Sequence, residues 1–536
     1  MSHLKDRRWY KAYTQVKELE IPEISVYSFL ENTTKQYGNQ TAIIHDDKGI
    51  TYKELKDRVD RLAGAWRNLG LRKGERIGLM VGNDPVYVIS YYAAMKLGLI
   101  VVQINPRYTT RELLQILTDA EPIALVAEKE AMKTVDKVID IYKLKHLFIN
   151  DSSGEMLGNV NHLIASNVPL KETELVDAKE EVAVIQYTGG TMGTIKGAML
   201  THYNLVANVL QSHGMYGEEM KFGEETILTA TPLYHVYAMT SAMNLGIYIG
   251  ATILLIKNFK VKQVLEIVKR YQPTFFPGVP RMYNAFVNFD NVEDYGLDSL
   301  KFCSCGSAPL PVEVIRKFEQ ITGVEIGEGF GLSEASPSTH RNPAKGIRKI
   351  GSIGIPFPNT DCKIIGEDHV ELPIGTVGEL VIKGPQIMKG YWKSKEETKQ
   401  ALKDGWLYTG DLAKQDEDGY FYIVGRKKEM IINGGFNVYP QEIENVLYEH
   451  PDIHECAVVG VPDKEQGEIV KAYLVAKKGK NIDREDIKGF CYRNLTPYKV
   501  PKQFEVIDVL PRNTVGKILK RVLKEKYTSS QGGYKK

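Results

Sequence analysis

Val182-Ala-Val-Ile-Gln-Tyr-Thr-Gly-Gly-Thr-Met-Gly-Thr-Ile-Lys196-Gly197 decides how this chain is read. An uncharged apolar run enters a segment, residues 187–197, that holds four glycines, three threonines and one lysine. The run predicts a buried strand, and the small residues after it leave backbone N–H groups unscreened by side chains. A polyphosphate can approach such a backbone closely, with threonine hydroxyls and the lysine ammonium as further donors. The spacing is not that of the Walker loop, because Ile195 stands where that loop requires its second glycine. No Gly-x-Gly-x-x-Gly dinucleotide fingerprint follows a strand elsewhere. The phosphate loop therefore belongs to another class of nucleotide enzyme.

Outward from this loop the pattern is one of βαβ units. Arg76-Ile-Gly-Leu-Met-Val, Leu99-Ile-Val-Val-Gln-Ile, Ala124-Leu-Val-Ala and His146-Leu-Phe-Ile predict buried strands. Pro85 to Leu97, Thr110 to Ala120 and Glu130 to Tyr142 predict the helices between them. A second set of strands follows the loop, at Thr226-Ile-Leu-Thr-Ala, Ala251-Thr-Ile-Leu-Leu-Ile and Leu300-Lys-Phe-Cys-Ser-Cys. This alternation predicts an α/β protein of mainly parallel sheets flanked by helices. From Gly351 to Ile432 short strands alternate with glycine, proline and aspartate turns, which predicts a small β-barrel-like portion. A boundary falls near Gly425-Arg-Lys-Lys428, and Pro440 opens a helix just beyond it. The last 110 or so residues suit a small α+β domain.

Composition narrows the function classes. At 536 residues, with 43% hydrophobic and 25% charged residues, the chain predicts two or more folded domains. A net charge of +2 gives no ground for nucleic-acid binding. From Arg426 onward 21 Lys and Arg face 15 Asp and Glu, a mildly basic tail. Five cysteines without metal-ligand spacing fit a reducing compartment, and Cys303-Ser-Cys305 alternates as core strand residues do. The charged N-terminus lacks the apolar core of a signal peptide, so a cytoplasmic location is expected. Residues 236–256 carry no charge but are weakly hydropathic, which predicts a buried helix and strand rather than a membrane span. No amphipathic anchor stands out, leaving at most weak peripheral membrane contact.

Five motifs in order carry a family resemblance: the glycine loop, Pro232-Leu-Tyr-His235-Val, Gly329-Phe-Gly-Leu-Ser-Glu334, Tyr408-Thr-Gly-Asp411 through Gly425-Arg-Lys-Lys428, and Pro511-Arg-Asn-Thr-Val-Gly-Lys517. Together they resemble the acyl-adenylate-forming superfamily, specifically its AMP-forming fatty acyl-CoA synthetases. The resemblance implies that a fatty acid, read as a long-chain one, attacks the α-phosphorus of ATP. Coenzyme A then displaces AMP from the acyl carbon. It also implies an adenylation domain over 1–425, a hinge over 426–428 and a mobile lid over 429–536, in a monomer or homodimer.

The resemblance assigns roles by position. Thr188, Gly189, Gly190, Thr191, Gly193 and Lys196 would hold ATP phosphates, with Lys196 on a mobile part of the loop. Gly306, Ser307, Ala308, Gly329, Phe330, Gly331 and Ser333 would hold AMP, with Phe330 stacked on adenine. Asp411 would accept from the ribose hydroxyls beside Arg426. Glu334, with Thr188, would coordinate Mg2+. Lys517 would be the adenylation lysine, Lys428 the hinge, and Gly434 and Gly435 the lining of a coenzyme A tunnel. His235 would gate an acyl pocket containing Phe276, Gly278 and Val279. Two residues depart from the family pattern: Met192 replaces a small hydroxylated residue and Ile195 replaces a proline. Activity is expected to survive, because Thr188, Thr191, Thr194 and Lys196 remain. Relatives acting on medium-chain or aromatic acids share these motifs, so those substrates stay open. So do transfer to a carrier protein and a non-catalytic binding role.

Overall fold

The computed structural model describes residues 2–151, 158–189, 195–463, 465–512 and 517–531. Two sheets dominate it. The first runs, in spatial order, through Gly390–Tyr391, Ile195–Thr201, Val182–Gly189, Ile100–Gln103, Arg76–Met80, Ala124–Glu128 and His146–Asn150. Its last five strands are parallel and its first two antiparallel. The second sheet has nine strands, with a parallel centre from Ile326–Gly331 to Thr41–His45 and antiparallel strands at both edges.

Side-chain alternation explains why both sheets are covered on both faces. In consecutive pairs such as Ile227 and Leu228, Ile253 and Leu254, or Phe275 and Phe276, the first residue joins a core between the two sheets. The second joins an outer core under helices Val261–Tyr271, Pro280–Val287 and Val312–Thr322. Leu79 and Met80 divide in the same way on the first sheet. The helix Pro85–Lys96 sits in the central layer and is buried at every position after its N-terminal proline. It is accordingly apolar all round rather than amphipathic.

Two smaller sheets complete the chain. Asp361–Ile365, Gly378–Lys383, Leu402–Lys403, Trp406–Gln415 and Phe421–Arg426 form an antiparallel sheet. These strands make up the small β-rich portion expected between the large sheets and the C-terminal unit. The C-terminal sheet combines Ile431–Asn433, Phe436–Val438, Ile453–Asp463, Gly467–Ala476 and Gln503–Val506 with helices Pro440–Tyr448, Arg484–Asn494 and Lys520–Gln531. No helix among the described residues is long and apolar enough to cross a membrane.

One backbone crossing fixes the strand that carries part of the cleft wall. Gly354 has φ of 87°, and a Cβ there would fall 2.0 Å from the carbonyl carbon of Arg341. Neither backbone can retreat, since Gly354 also accepts from the Phe421 N–H at 2.9 Å. Gly354→Ala is expected to destabilise the fold by about 3–5 kcal/mol, from backbone strain plus overlap. A urea midpoint within error of wild type would contradict this packing.

Candidate active site

A cleft of ≈ 2940 Å³ opens between the large sheets, the antiparallel sheet and the C-terminal unit. Thr188 and Lys196 reach it from Val182–Gly189 and Ile195–Thr201, which form a hairpin with these two residues opposite each other. Lys196 is therefore a strand residue rather than part of the loop. Extending the hairpin ladder fixes its backbone, and its ammonium lies 5.2 Å over the Tyr391 ring. Gly189 ends the first strand. Gly190, Thr191, Met192, Gly193 and Thr194 lie outside the described residues.

The strand Ile326–Gly331 brings Gly329, Phe330 and Gly331 to the same cleft, and the short 3-10 turn Ser333–Ala335 follows it. Tyr391 donates its hydroxyl to Glu334 at 2.7 Å. The Glu334 backbone carbonyl accepts from the Met388 N–H at 2.8 Å, which ties the turn down. Gly306, Ser307 and Ala308 line the facing wall, and Ser307 holds a left-handed φ of 71°. Such strain in a non-glycine residue clusters at ligand sites. Tyr391 was not singled out from the sequence. It reaches Glu334 from 57 positions further along the chain, and no motif marks it.

Asp411 and Arg426 stand opposite each other on adjacent antiparallel strands, with Arg426 Nε 2.7 Å from Asp411 Oδ1. Asp411 is 3% exposed, and its Oδ2 is buried without a hydrogen-bond partner. Burial pushes its pKa up to about 6, against the pull of Arg426 and Lys517. Lys517 faces the same pair: burial of its ammonium and the Arg426 charge lower its pKa, while Glu429 and Asp411 oppose them. The residue as a whole is exposed, but its side chain lines the cleft. Arg512, anchored to Glu455 at 2.5 Å, and Lys520, 2.7 Å from Glu444, flank it. Lys428 lies exposed in the 3-10 turn Lys427–Glu429, where the chain passes from one small sheet to the next. Gly434 and Gly435 form the exposed turn between Ile431–Asn433 and Phe436–Val438, apart from the cleft lining.

Elsewhere on the cleft wall, His235 caps a short helix by accepting from the Tyr237 N–H at 3.3 Å. Burial lowers its pKa to about 4, so it is neutral at physiological pH. Val279 lines the cleft beside it. Phe276 and Gly278 do not. Phe276 points to the outer core, against the rings of Tyr283 at 5.1 Å and Phe286 at 5.5 Å. Gly278 packs behind that ring, where a Cβ would meet Phe276 at 2.6 Å. The apolar stripe expected to line a tunnel is, at these two positions, core.

The family model described as AMP-binding enzyme matches residues 30–392, and that described as AMP-binding enzyme C-terminal domain matches 442–517. A long-chain-fatty-acid–CoA ligase from Bacillus subtilis is 41% identical over 96% of each chain. A protein of the same name from Escherichia coli is 37% identical over 94% of each. The ATP-bound crystal structure of MatB from Rhodopseudomonas palustris superposes with a TM-score of 0.87 at 30% identity, covering 95% of this chain and 100% of that one. The apo structure of the same protein gives 0.78, covering 94% and 99%.

Proposed function

The chain belongs to the AMP-binding enzyme family, and from that membership we propose that it joins a long-chain fatty acid to coenzyme A, converting ATP to AMP and pyrophosphate. The observation that carries the reading is the pair Asp411 and Arg426. A carboxylate held in place by one oxygen, with the other buried and unpartnered, suits two donor hydroxyls such as those of a ribose.

The chemistry follows from what a carboxylate cannot do. It is a poor electrophile, so it must first attack the α-phosphorus of ATP and expel pyrophosphate, giving a mixed anhydride. Two anions meet in that step, and Lys517 is the cation we assign to the meeting point. Thr188 and Lys196 would bind the departing phosphates and Phe330 the adenine. A thiol then adds to the acyl carbon and AMP leaves. His235 is neutral, which suits a group flanking the acyl carbonyl without attracting the phosphates. The glycine turn Gly434–Gly435 is expected to reach the acyl carbon for the second step only if the C-terminal unit turns about Lys428. The better agreement with ATP-bound than with apo MatB supports reading the present arrangement as the one for adenylation.

Glu334 fits Mg2+. Its carboxylate carries a hydroxyl donor from Tyr391 and, among the described residues, no group of three or more acidic, His or Cys side chains forms a cage. A single carboxylate completed by phosphate oxygens and water is how proteins usually hold this ion, which would neutralise phosphate charge. All five cysteines are buried and unpaired, which favours a cytoplasmic setting.

The test is AMP release with coenzyme A across saturated acids of about six to eighteen carbons, with benzoate and cinnamate alongside. Each methylene removed from water contributes roughly 0.8 kcal/mol, so kcat/KM is expected to rise about four-fold per carbon until the site is full. A flat profile, or a maximum at an aromatic acid, would assign a different acid.

A further inference from the structure

Arg341 is a buried cation that the reaction above does not use. It ends the strand Ser338–Arg341 and is 7% exposed, yet it lines the cleft. Its Nε has no hydrogen-bond partner, and a terminal nitrogen reaches the Cys303 carbonyl only at 3.5 Å. The guanidinium lies 3.8 Å from the centre of the Tyr216 ring. Burial alone lowers its pKa, to about 9, with no neighbouring anion among the described residues to offset it. It therefore remains charged at neutral pH. An uncompensated buried charge is costly and calls for a partner.

The partner is not the nucleotide. Arg341 pairs with Gly329, and His340 with Phe330, across adjacent antiparallel strands. Side chains alternate, so Arg341 projects from the face opposite Phe330. Gly327 shares its face and leaves the room it fills, since a Cβ there would come within 3.0 Å of the guanidinium. Ser333 and Glu334 lie beyond the other end of that strand.

Helix His202–Tyr216 runs along the strand that bears Arg341. The Asn208 side chain donates to the Ser338 carbonyl at 2.7 Å and accepts from its N–H at 3.1 Å, and Tyr216 meets Arg341 two turns later. Ser212 lies midway on the same helix face, lines the cleft, and its hydroxyl is buried without a partner. Leu245 and Val279 also line the cleft.

We propose that Arg341, with Ser212 beside it, receives a second carboxylate at the far end of the acyl substrate, so that the enzyme prefers α,ω-dicarboxylic acids to simple fatty acids of equal length. The inference rests on the acid–coenzyme A ligase reading and specifies its substrate class. A methyl terminus would leave both groups unsatisfied, whereas a carboxylate pairs with the guanidinium and accepts from the hydroxyl.

The experiment measures AMP release with coenzyme A for matched mono- and dicarboxylic acids of about eight to sixteen carbons, using wild type, Arg341→Met and Arg341→Lys. Wild type is expected to favour the diacid by at least about 10-fold in kcat/KM at one or more lengths. Arg341→Met is expected to lower the diacid-to-monoacid ratio by about 100-fold, chiefly through KM, and Arg341→Lys to restore part of it. A wild-type ratio below one at every length overturns the proposal, as does a ratio that Arg341→Met leaves unchanged. Should Arg341→Met fail to fold, the wild-type ratio decides. If wild type turns over no acid of either kind, the ligase reading itself falls, and this inference with it.

Discussion

Lys517→Ala is expected to slow acyl-adenylate formation by about 10²–10³-fold, the usual consequence of removing one positioned electrostatic group from a charged transition state. Thioester formation from pre-made acyl-adenylate should keep most of its rate, because the lysine has no assigned part in the second step. The two half-reactions are separable in practice: pyrophosphate exchange reads the first, and coenzyme A consumption with synthetic acyl-adenylate reads the second. Equal losses in both would mean that the substitution disturbs the C-terminal unit as a whole. Lys520→Gln is a useful companion, since it breaks the ion pairs to Glu444 and Glu429, at 2.7 and 3.5 Å, without removing the Lys517 ammonium. A loss confined to the first step in that variant too would show that these pairs hold Lys517 in position.

The reason to expect so large an effect is electrostatic. Among the described residues, Asp411, Arg426 and Glu429 all act on the Lys517 ammonium, which burial and Arg426 already hold below its ordinary pKa. An ammonium so placed gives up part of its hydration before any substrate arrives. It is then a stronger partner for two anions than a solvated lysine would be.

Much of the fold was legible because its signals are local. The strands Arg76–Met80, Ala124–Glu128 and His146–Asn150 each follow from a short apolar run, and the helices Thr110–Ala120 and Met132–Ile139 from 3.6-residue periodicity. Legibility failed where pairing is distant. Thr41–His45 joins the second sheet beside Thr252–Leu255, some two hundred residues away, and nothing near residue 41 announces that neighbour. The hairpin that puts Lys196 opposite Thr188 was read as strand and loop, since glycine and threonine do not advertise a returning strand. The site divides in the same way. Asp411 and Lys517 are singled out by motifs, and the fold brings both to one cleft, although each alone would pass for a turn residue or a solvated cation. Tyr391 and Arg341 have no motif, and their importance lies in partners at Glu334 and Tyr216 that only folding brings near. Phe276 shows the converse error. An aromatic in the right segment can face the core, because the direction of a strand side chain depends on register, which composition does not reveal.

Asp411→Asn is expected to make the protein more stable and the enzyme worse. The carboxyl has a pKa of about 6 in the fold against 3.8 in the open chain, with burial as the main cause. The folded state thus holds this proton more tightly than the unfolded one. Its contribution favours folding below about pH 4 and is lost as pH rises towards 6. Above that, the buried charge costs up to about 3 kcal/mol, from roughly two pKa units at 1.36 kcal/mol each. Asparagine removes the charge, so at pH 8 the urea midpoint should rise, and near pH 4 the gain should vanish. Nucleotide binding moves the other way. In the proposed reading the free Oδ2 accepts from ribose hydroxyls, and losing charge-assisted hydrogen bonds of about 1.5–3 kcal/mol should raise the KM for ATP by roughly 10–100-fold. The wild-type KM should climb as pH falls below about 6, where protonation turns Oδ2 into a poorer acceptor. That climb should be missing in the variant. A variant that loses stability at pH 8 while keeping its affinity for ATP would show that Arg426 already compensates the charge, leaving Oδ2 no part in holding the nucleotide.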